Sequence, residues 1–283
     1  VRFWKAHGLG NDYLVLETAH ALDAALVRRL CDRHRGIGSD GILQPTPPTL
    51  DADFGVRIWN PDGSIAEKSG NGLRIFARWL RTTAAAATDR FSISTGPCRV
   101  DCQTTATAVR VEMGAPTFVA SEIPVLAPGG RAELVEGMID LSDGPLTVTA
   151  VGIGNPHCVV FRTEPLDTLP WRRWGVELER HPRFPHRTNV QVARVAGPSE
   201  LEIRIHERGA GETQASGSSA CAVAAAAVRT DRLAPGRVRV AMPGGSLWVT
   251  VSPVGLLLEG PVEGVGHFDL DPAWLTALSP GVS

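Results

Sequence analysis

Lysine is almost missing from this 283-residue chain, which holds Lys5 and Lys68 against 26 arginines. A pyridoxal-phosphate enzyme needs a Schiff-base lysine. Lys5 stands at the entry to the first expected strand and Lys68 directly before Ser69. Neither placement suits that role, and no cofactor is expected. The five cysteines (Cys31, Cys98, Cys102, Cys158, Cys221) are odd in number and lack the spacing of a zinc site or a disulfide framework. They read as reduced, packed thiols, and no metal site is expected. A net charge of −2 leaves no basic footprint for nucleic acid and no polybasic patch for a membrane. No run approaches the roughly 18 apolar residues of a membrane span, and the first residues show no leader pattern. The expectation is a cytoplasmic protein whose partner is a small molecule, with a homodimer left open.

The apolar share of 43% and charged share of 20% are those of a globular protein. The length suits two domains of about 100 to 150 residues each. Strands are expected over 13–18, 53–59, 91–94, 99–103 and 109–112. A helix is expected over 21–35, and another over 72–79 with Leu73, Phe76, Ala77 and Leu80 inward and Arg74, Arg78 and Arg81 outward. The proline- and glycine-bearing segment 116–130 marks a junction. It gives domains 1–118 and 119–283, with the extreme C-terminus free to pack back on the first. The pattern then restarts with strands near 146–151, 158–161, 190–195 and 201–206. Residues 220–228 are apolar all round, as in a helix buried on every side. The class is α+β: two pseudo-symmetric domains, each a curled, β-barrel-like sheet around a central buried helix.

Two stretches, 147 residues apart, look like copies of one element. Residues 59–72 run from Trp59 through Asn60 and a glycine turn to Ser69-Gly70-Asn71-Gly72. Residues 206–219 run from His206 through Glu207-Arg208-Gly209 to Ser216-Gly217-Ser218-Ser219. A second pair, Gly8-Leu9-Gly10-Asn11 and Gly152-Ile153-Gly154-Asn155, repeats at an offset of 144. A helix start leaves backbone N–H groups unpaired and carries the positive end of the helix dipole. Glycine lets a ligand approach that backbone, so each turn suits a carboxylate. Serine is also a common N-cap, but duplication with matched polar neighbours favours function. Two such turns place matched groups on opposite faces of one substrate, and Ser69 and Ser216 are expected to face each other across an interdomain cleft. His157 and Glu207 join them as catalytic candidates, Glu207 as an ammonium anchor or a base.

With these residues the chain resembles the diaminopimelate epimerase family, whose enzymes invert one α-centre of LL-diaminopimelate without a cofactor. The resemblance rests on residues 7–13, 36–41, 60–64, 69–72, 154–157, 188–190 and 207–209, in the family's order. It implies the two-domain fold above and substrate contacts at Asn11, Gln44, Asn60, Gly70, Asn71, Asn155, Asn189, Glu207, Arg208, Gly217 and Ser218. It also implies cysteines as the two bases, where this chain has Ser69 and Ser216. Epimerisation by serines with helping residues is one reading. A related isomerase or dehydratase working on another small acid with a carboxylate or serine-assisted base is a second. A silent amino-acid-binding relative is a third, and a deliberate exchange of both cysteines a fourth.

Overall fold

The computed structural model describes residues 1–96 and 98–278. The chain divides into two compact units, Val1–Val111 with the segment from Pro261, and Glu112–Gly260. Sequence composition puts the junction at 118/119. In the structure the segment 116–130 belongs to the second unit, where Thr117 bridges Gly152 and Val119 bridges Glu133.

The first unit contains β1 (Arg2–Gly8), β2 (Asn11–Leu16), α1 (Ala24–Cys31), β3 (Ile42–Thr46), β4 (Phe54–Trp59), β5 (Ile65–Ala66), α2 (Gly70–Thr82), β6 (Arg90–Ser94) and β7 (Arg99–Thr104). Strand β8 (Val109–Gly114) spans the point of division. The second unit contains β9 (Gly137–Leu141), β10 (Gly144–Gly152), β11 (Pro156–Phe161), α3 (Trp171–Glu179), β12 (Asn189–Gly197), β13 (Glu200–Glu207), β14 (Gly211–Thr213), α4 (Gly217–Arg229), β15 (Gly236–Met242), β16 (Gly245–Ser252) and β17 (Gly255–Gly260). The first unit resumes with β18 (Glu263–Asp269) and α5 (Pro272–Leu278).

The two sheets have one plan. In the first, β1 and β2 are antiparallel, β2 and β3 parallel, β3 and β4 antiparallel, and β4 and β6 parallel, while β5 folds back on β4. In the second, β10 and β11 are antiparallel, β11 and β12 parallel, β12 and β13 antiparallel, and β13 and β15 parallel, while β14 folds back on β13. The outer strand also matches: β18 pairs with β1 as β9 pairs with β10. The fold is α+β with internal pseudo-symmetry, as the repeated sequence implies.

Each sheet curls around one helix. In α4, Ala220 through Ala227 are all buried, because alanine and valine give a thin cylinder that strands can approach on every side. We expect Ala224→Leu to overpack this helix and cost roughly 1–3 kcal/mol. Equilibrium urea unfolding measures it, and wild-type stability in that variant would contradict the packing described. In α2, Leu73, Ile75, Phe76, Ala77 and Leu80 are buried.

Two expectations change. Arg74 is not on an outer face but fully buried. It donates from Nη2 to Asn71 Oδ1 at 2.7 Å, a polar anchor one helical turn from the start of α2. The helix expected over 21–35 is only Ala24–Cys31. Asp23 caps its start by accepting from Leu26 N, and Asp32 ends it by accepting from the N–H groups of His34 and Arg35. Gly36 then packs so close to the end of α1 that a Cβ would lie 2.1 Å from the Arg29 carbonyl oxygen. Only glycine fits there.

Candidate active site

The duplicated stretches fold as one repeated unit: a strand, a short return strand, a serine N-cap and a buried helix. Ser69 has φ −138° and ψ 116°, and Ser216 φ −148° and ψ 126°. Ser69 Oγ accepts from Gly72 N at 3.0 Å, and Ser216 Oγ accepts from Ser219 N at a longer 3.5 Å. Gly70 and Gly217 open the two helices and are both buried. Each serine is therefore an N-cap, a role that by itself accounts for a serine at each position. The surroundings of each cap go beyond that.

In the first unit, Ser69 Oγ lies 3.0 Å from the hydroxyl of Tyr13 on β2. Asn71, buried in the first turn of α2, donates from Nδ2 to Asn11 Oδ1 at 2.9 Å. Asn11 donates in turn to Asp40 Oδ2 at 2.8 Å. Arg33 Nη2 holds Asp40 and Asp12 at 2.7 Å each, and Lys5 Nζ lies 3.0 Å from Asp12. Burial and the neighbouring Asp12 carboxylate raise the pKa of Asp40. On Asp12, burial acts upward, but hydrogen bonds from Arg33 and Lys5 outweigh it, and the net shift is down. A chain of polar groups that runs from buried Asn71 through partly buried Asn11 and Asp40 to exposed Arg33 thus fixes the amide faces of Asn11 and Asn71. Gln44 accepts from Trp59 Nε1 at 2.9 Å, and Asn60 is tied to Ser64 within its own turn at 2.9 Å.

In the second unit, Asn155 Oδ1 and His157 Nε2 are 2.8 Å apart. Complete burial pushes the His157 pKa down to about 3 against an upward pull from the Gln191 side chain, and the nearby Arg208 charge adds to the fall. His157 is thus a neutral ring at physiological pH. Its Nδ1 and the Oε1 of Gln191 have no hydrogen-bond partner among the described residues, while Gln191 Nε2 sits 3.0 Å from Ser219 Oγ. Oxygen and nitrogen of an amide are assigned from such networks. Turning the Gln191 amide over would aim its NH2 at His157 and let its oxygen accept from Ser219. That gives a chain from Asn155 through His157 and Gln191 to the first turn of α4.

Asn189 donates to the Pro156 carbonyl at 2.9 Å and accepts from Arg208 N at 3.0 Å, so it ties the Asn155–His157 strand to the Glu207–Arg208 turn. Glu207 ends β13 half-buried, whereas Arg208 is exposed and donates to the His186 carbonyl. Ser218 Oγ lies 3.5 Å from Ser216 Oγ. The candidates of this unit thus fall into local hydrogen-bonded groups: Asn155 with His157, Asn189 with the Arg208 backbone, and Ser216 with Ser218.

Sequence reasoning passes over Tyr13, Arg33, Asp40, Glu179, Gln191 and Ser219 as functional residues. The repeat holds a signal for two of them. Tyr13 and His157 correspond at the offset of 144, and Gly72 and Ser219 at 147. Among the described residues no group of three or more His, Cys, Asp and Glu side chains is placed to hold a metal ion, and no helix is long and apolar enough to cross a membrane.

The family model of diaminopimelate epimerase matches twice, over residues 3–119 and 149–265. This chain belongs to the diaminopimelate epimerase family. A diaminopimelate epimerase of Desulforudis audaxviator is 39% identical over 98% of this chain and 100% of that protein. Diaminopimelate epimerase 2 of a Nostoc species is 42% identical over 89% of this chain and 88% of that one. The fold recurs at far lower identity. A hydroxyproline epimerase from Agrobacterium vitis, solved with trans-4-hydroxy-L-proline bound, superposes with TM-score 0.69 at 15% identity, over 96% of this chain and 93% of that one. A phenazine biosynthesis protein of the PhzF family from Bacillus anthracis gives 0.69 at 14%, over 96% and 99%. The double match falls one segment per half, as the duplicated serine turns require.

Proposed function

We propose that this member of the family is an amino-acid epimerase that interconverts LL- and meso-diaminopimelate for lysine and peptidoglycan precursors in the cytoplasm, with no cofactor. The observation that carries the reading is the duplicated serine cap. The same backbone conformation opens each of two buried helices on the same sheet plan, with Asn11 and Asn71 near the first cap and Asn155, Asn189 and the Glu207–Arg208 turn in the unit of the second. Names of relatives that match nearly end to end support the substrate.

Chemically, the substrate carboxylate sits at helix N-termini, where N–H groups and the helix dipole favour negative charge. The cap on one face takes the α-proton, and the C–H electron pair stays on the substrate as an enediolate-like charge. The same N–H groups stabilise that charge. The cap on the other face returns a proton and inverts the centre. Asn11, Asn71, Asn155 and Asn189 are held by buried partners and act as fixed amides for the substrate's polar groups. Glu207 takes the ammonium group and Arg208 a carboxylate.

The test is incubation with LL-diaminopimelate in deuterium oxide. Deuterium should enter the α-position and meso product should form, both read by NMR. Absence of exchange with this substrate, while another small acid exchanges, would reassign the substrate.

A further inference from the structure

We infer that Tyr13 is the proton partner of Ser69, so that the first cap works as a serine–tyrosine pair. This inference rests on the epimerase reading above. Tyr13 is the one tyrosine in the chain, and its hydroxyl stands 3.0 Å from Ser69 Oγ. Ser69 is already satisfied as an N-cap through Gly72 N–H, so the cap does not need the phenol. Glycines pack close against each partner. At Gly41 a Cβ would lie 2.6 Å from Tyr13 Cε1, and at Gly72 a Cβ would lie 3.2 Å from Ser69 Oγ. Tyr13 is itself buried, at 7% exposure, with its register fixed opposite Ala6 in the β1–β2 pair. In the second unit the corresponding residue is His157, whose ring turns to Asn155 instead. The two caps are therefore chemically unequal.

A serine hydroxyl is a poor proton acceptor unless something takes its own proton. A phenol ionises near pH 10, far more readily than an aliphatic hydroxyl. In the step inferred, the substrate C–H bond breaks and leaves its electron pair on carbon. Tyr13 enters the step as the phenolate, its own proton having passed to solvent water; the α-proton then forms a bond to Ser69 Oγ while the proton already on Ser69 passes to that phenolate oxygen. One proton thus moves from carbon to Tyr13, and no oxidant or co-reactant is needed. The reverse sequence delivers a proton to the substrate.

The test uses Tyr13→Phe, alone and combined with Ser69→Cys, with α-deuterium exchange of LL- and meso-diaminopimelate as the readout. Tyr13→Phe should slow exchange by roughly 10²-fold or more with KM nearly unchanged. In the Ser69→Cys background the same change should cost little, because a thiol ionises near pH 8.5 without help. Wild-type exchange rates in Tyr13→Phe overturn the pairing, and so does an equal loss in both backgrounds, which marks a structural role. If neither the wild type nor Ser69→Cys exchanges the α-proton, the epimerase reading itself falls and takes this inference with it. That outcome is distinct from active enzymes that ignore Tyr13.

Discussion

Placing thiols at both caps, as Ser69→Cys with Ser216→Cys, should raise the rate of α-proton exchange with diaminopimelate by roughly 10²-fold or more. The reason is acidity. A cysteine ionises near pH 8.5, and a helix N-terminus lowers that further. A serine at the same cap keeps its proton unless a neighbour removes it. The exchange also tests the caps as positions, since loss of a serine N-cap costs helix stability of about 1 kcal/mol. The double variant should therefore be faster and slightly less stable. Single variants should fall between, with Ser216→Cys gaining more, because Ser216 contacts Ser218 rather than a phenol. Steady-state epimerisation and thermal melts of the four proteins decide it. A double variant no faster than wild type would mean that proton transfer is not carried at residues 69 and 216.

Much of this site is legible in the sequence because a cap has local rules. A serine, then glycine, then an apolar helix is enough to place α2 and α4, and repetition fixes the register between them. The apolar run Ala220–Ala227 is read as a helix buried on all sides, and it is one. Arg74 is misread because helical periodicity assigns arginine to the wet face. Its guanidinium hydrogen-bonds Asn71 one turn earlier in the same helix and packs against Gly8, where a Cβ would lie 2.8 Å from Nη2, and only that second, tertiary contact escapes a reading of periodicity. The pairing of β18 with β1 escapes for another reason. It joins residues some 260 positions apart, and β18 is exposed along most of its length, so no alternation announces a strand. Tyr13 hides inside a segment that reads as an ordinary strand, since only the fold brings it to Ser69.

The buried carboxylate of Glu179, at the end of α3, should prove the most sensitive support of the Glu207–Arg208 turn. It accepts from Gly209 N at 3.0 Å and lies 3.3 Å from His206 Nε2, with only 4% of the residue exposed. Gly209 has a φ of +79°, a conformation that favours glycine, and its N–H is the one Glu179 accepts. Arg180 and Arg187 stand further off, at 3.7 Å, and are largely exposed, so they contribute little. Glu179→Ala would leave the Gly209 N–H and the buried imidazole of His206 without this acceptor and should cost roughly 1–3 kcal/mol. Burial acts to raise the pKa of Glu179, but the Gly209 N–H and His206 outweigh it, and the folded value lies below the usual 4.5. Its stabilisation is therefore complete above pH 4.5 and is lost as the pH falls through the depressed folded value. Urea unfolding of wild type and Glu179→Ala across pH 7 to 3 should show a gap that is constant at first and narrows below pH 4.5. A gap that stays constant down to pH 3 would mean that the ionised carboxylate is not what holds the turn. At neutral pH, under conditions where the variant is folded, substrate affinity should drop along with kcat, because Glu207 and Arg208 lose the backbone that aims them.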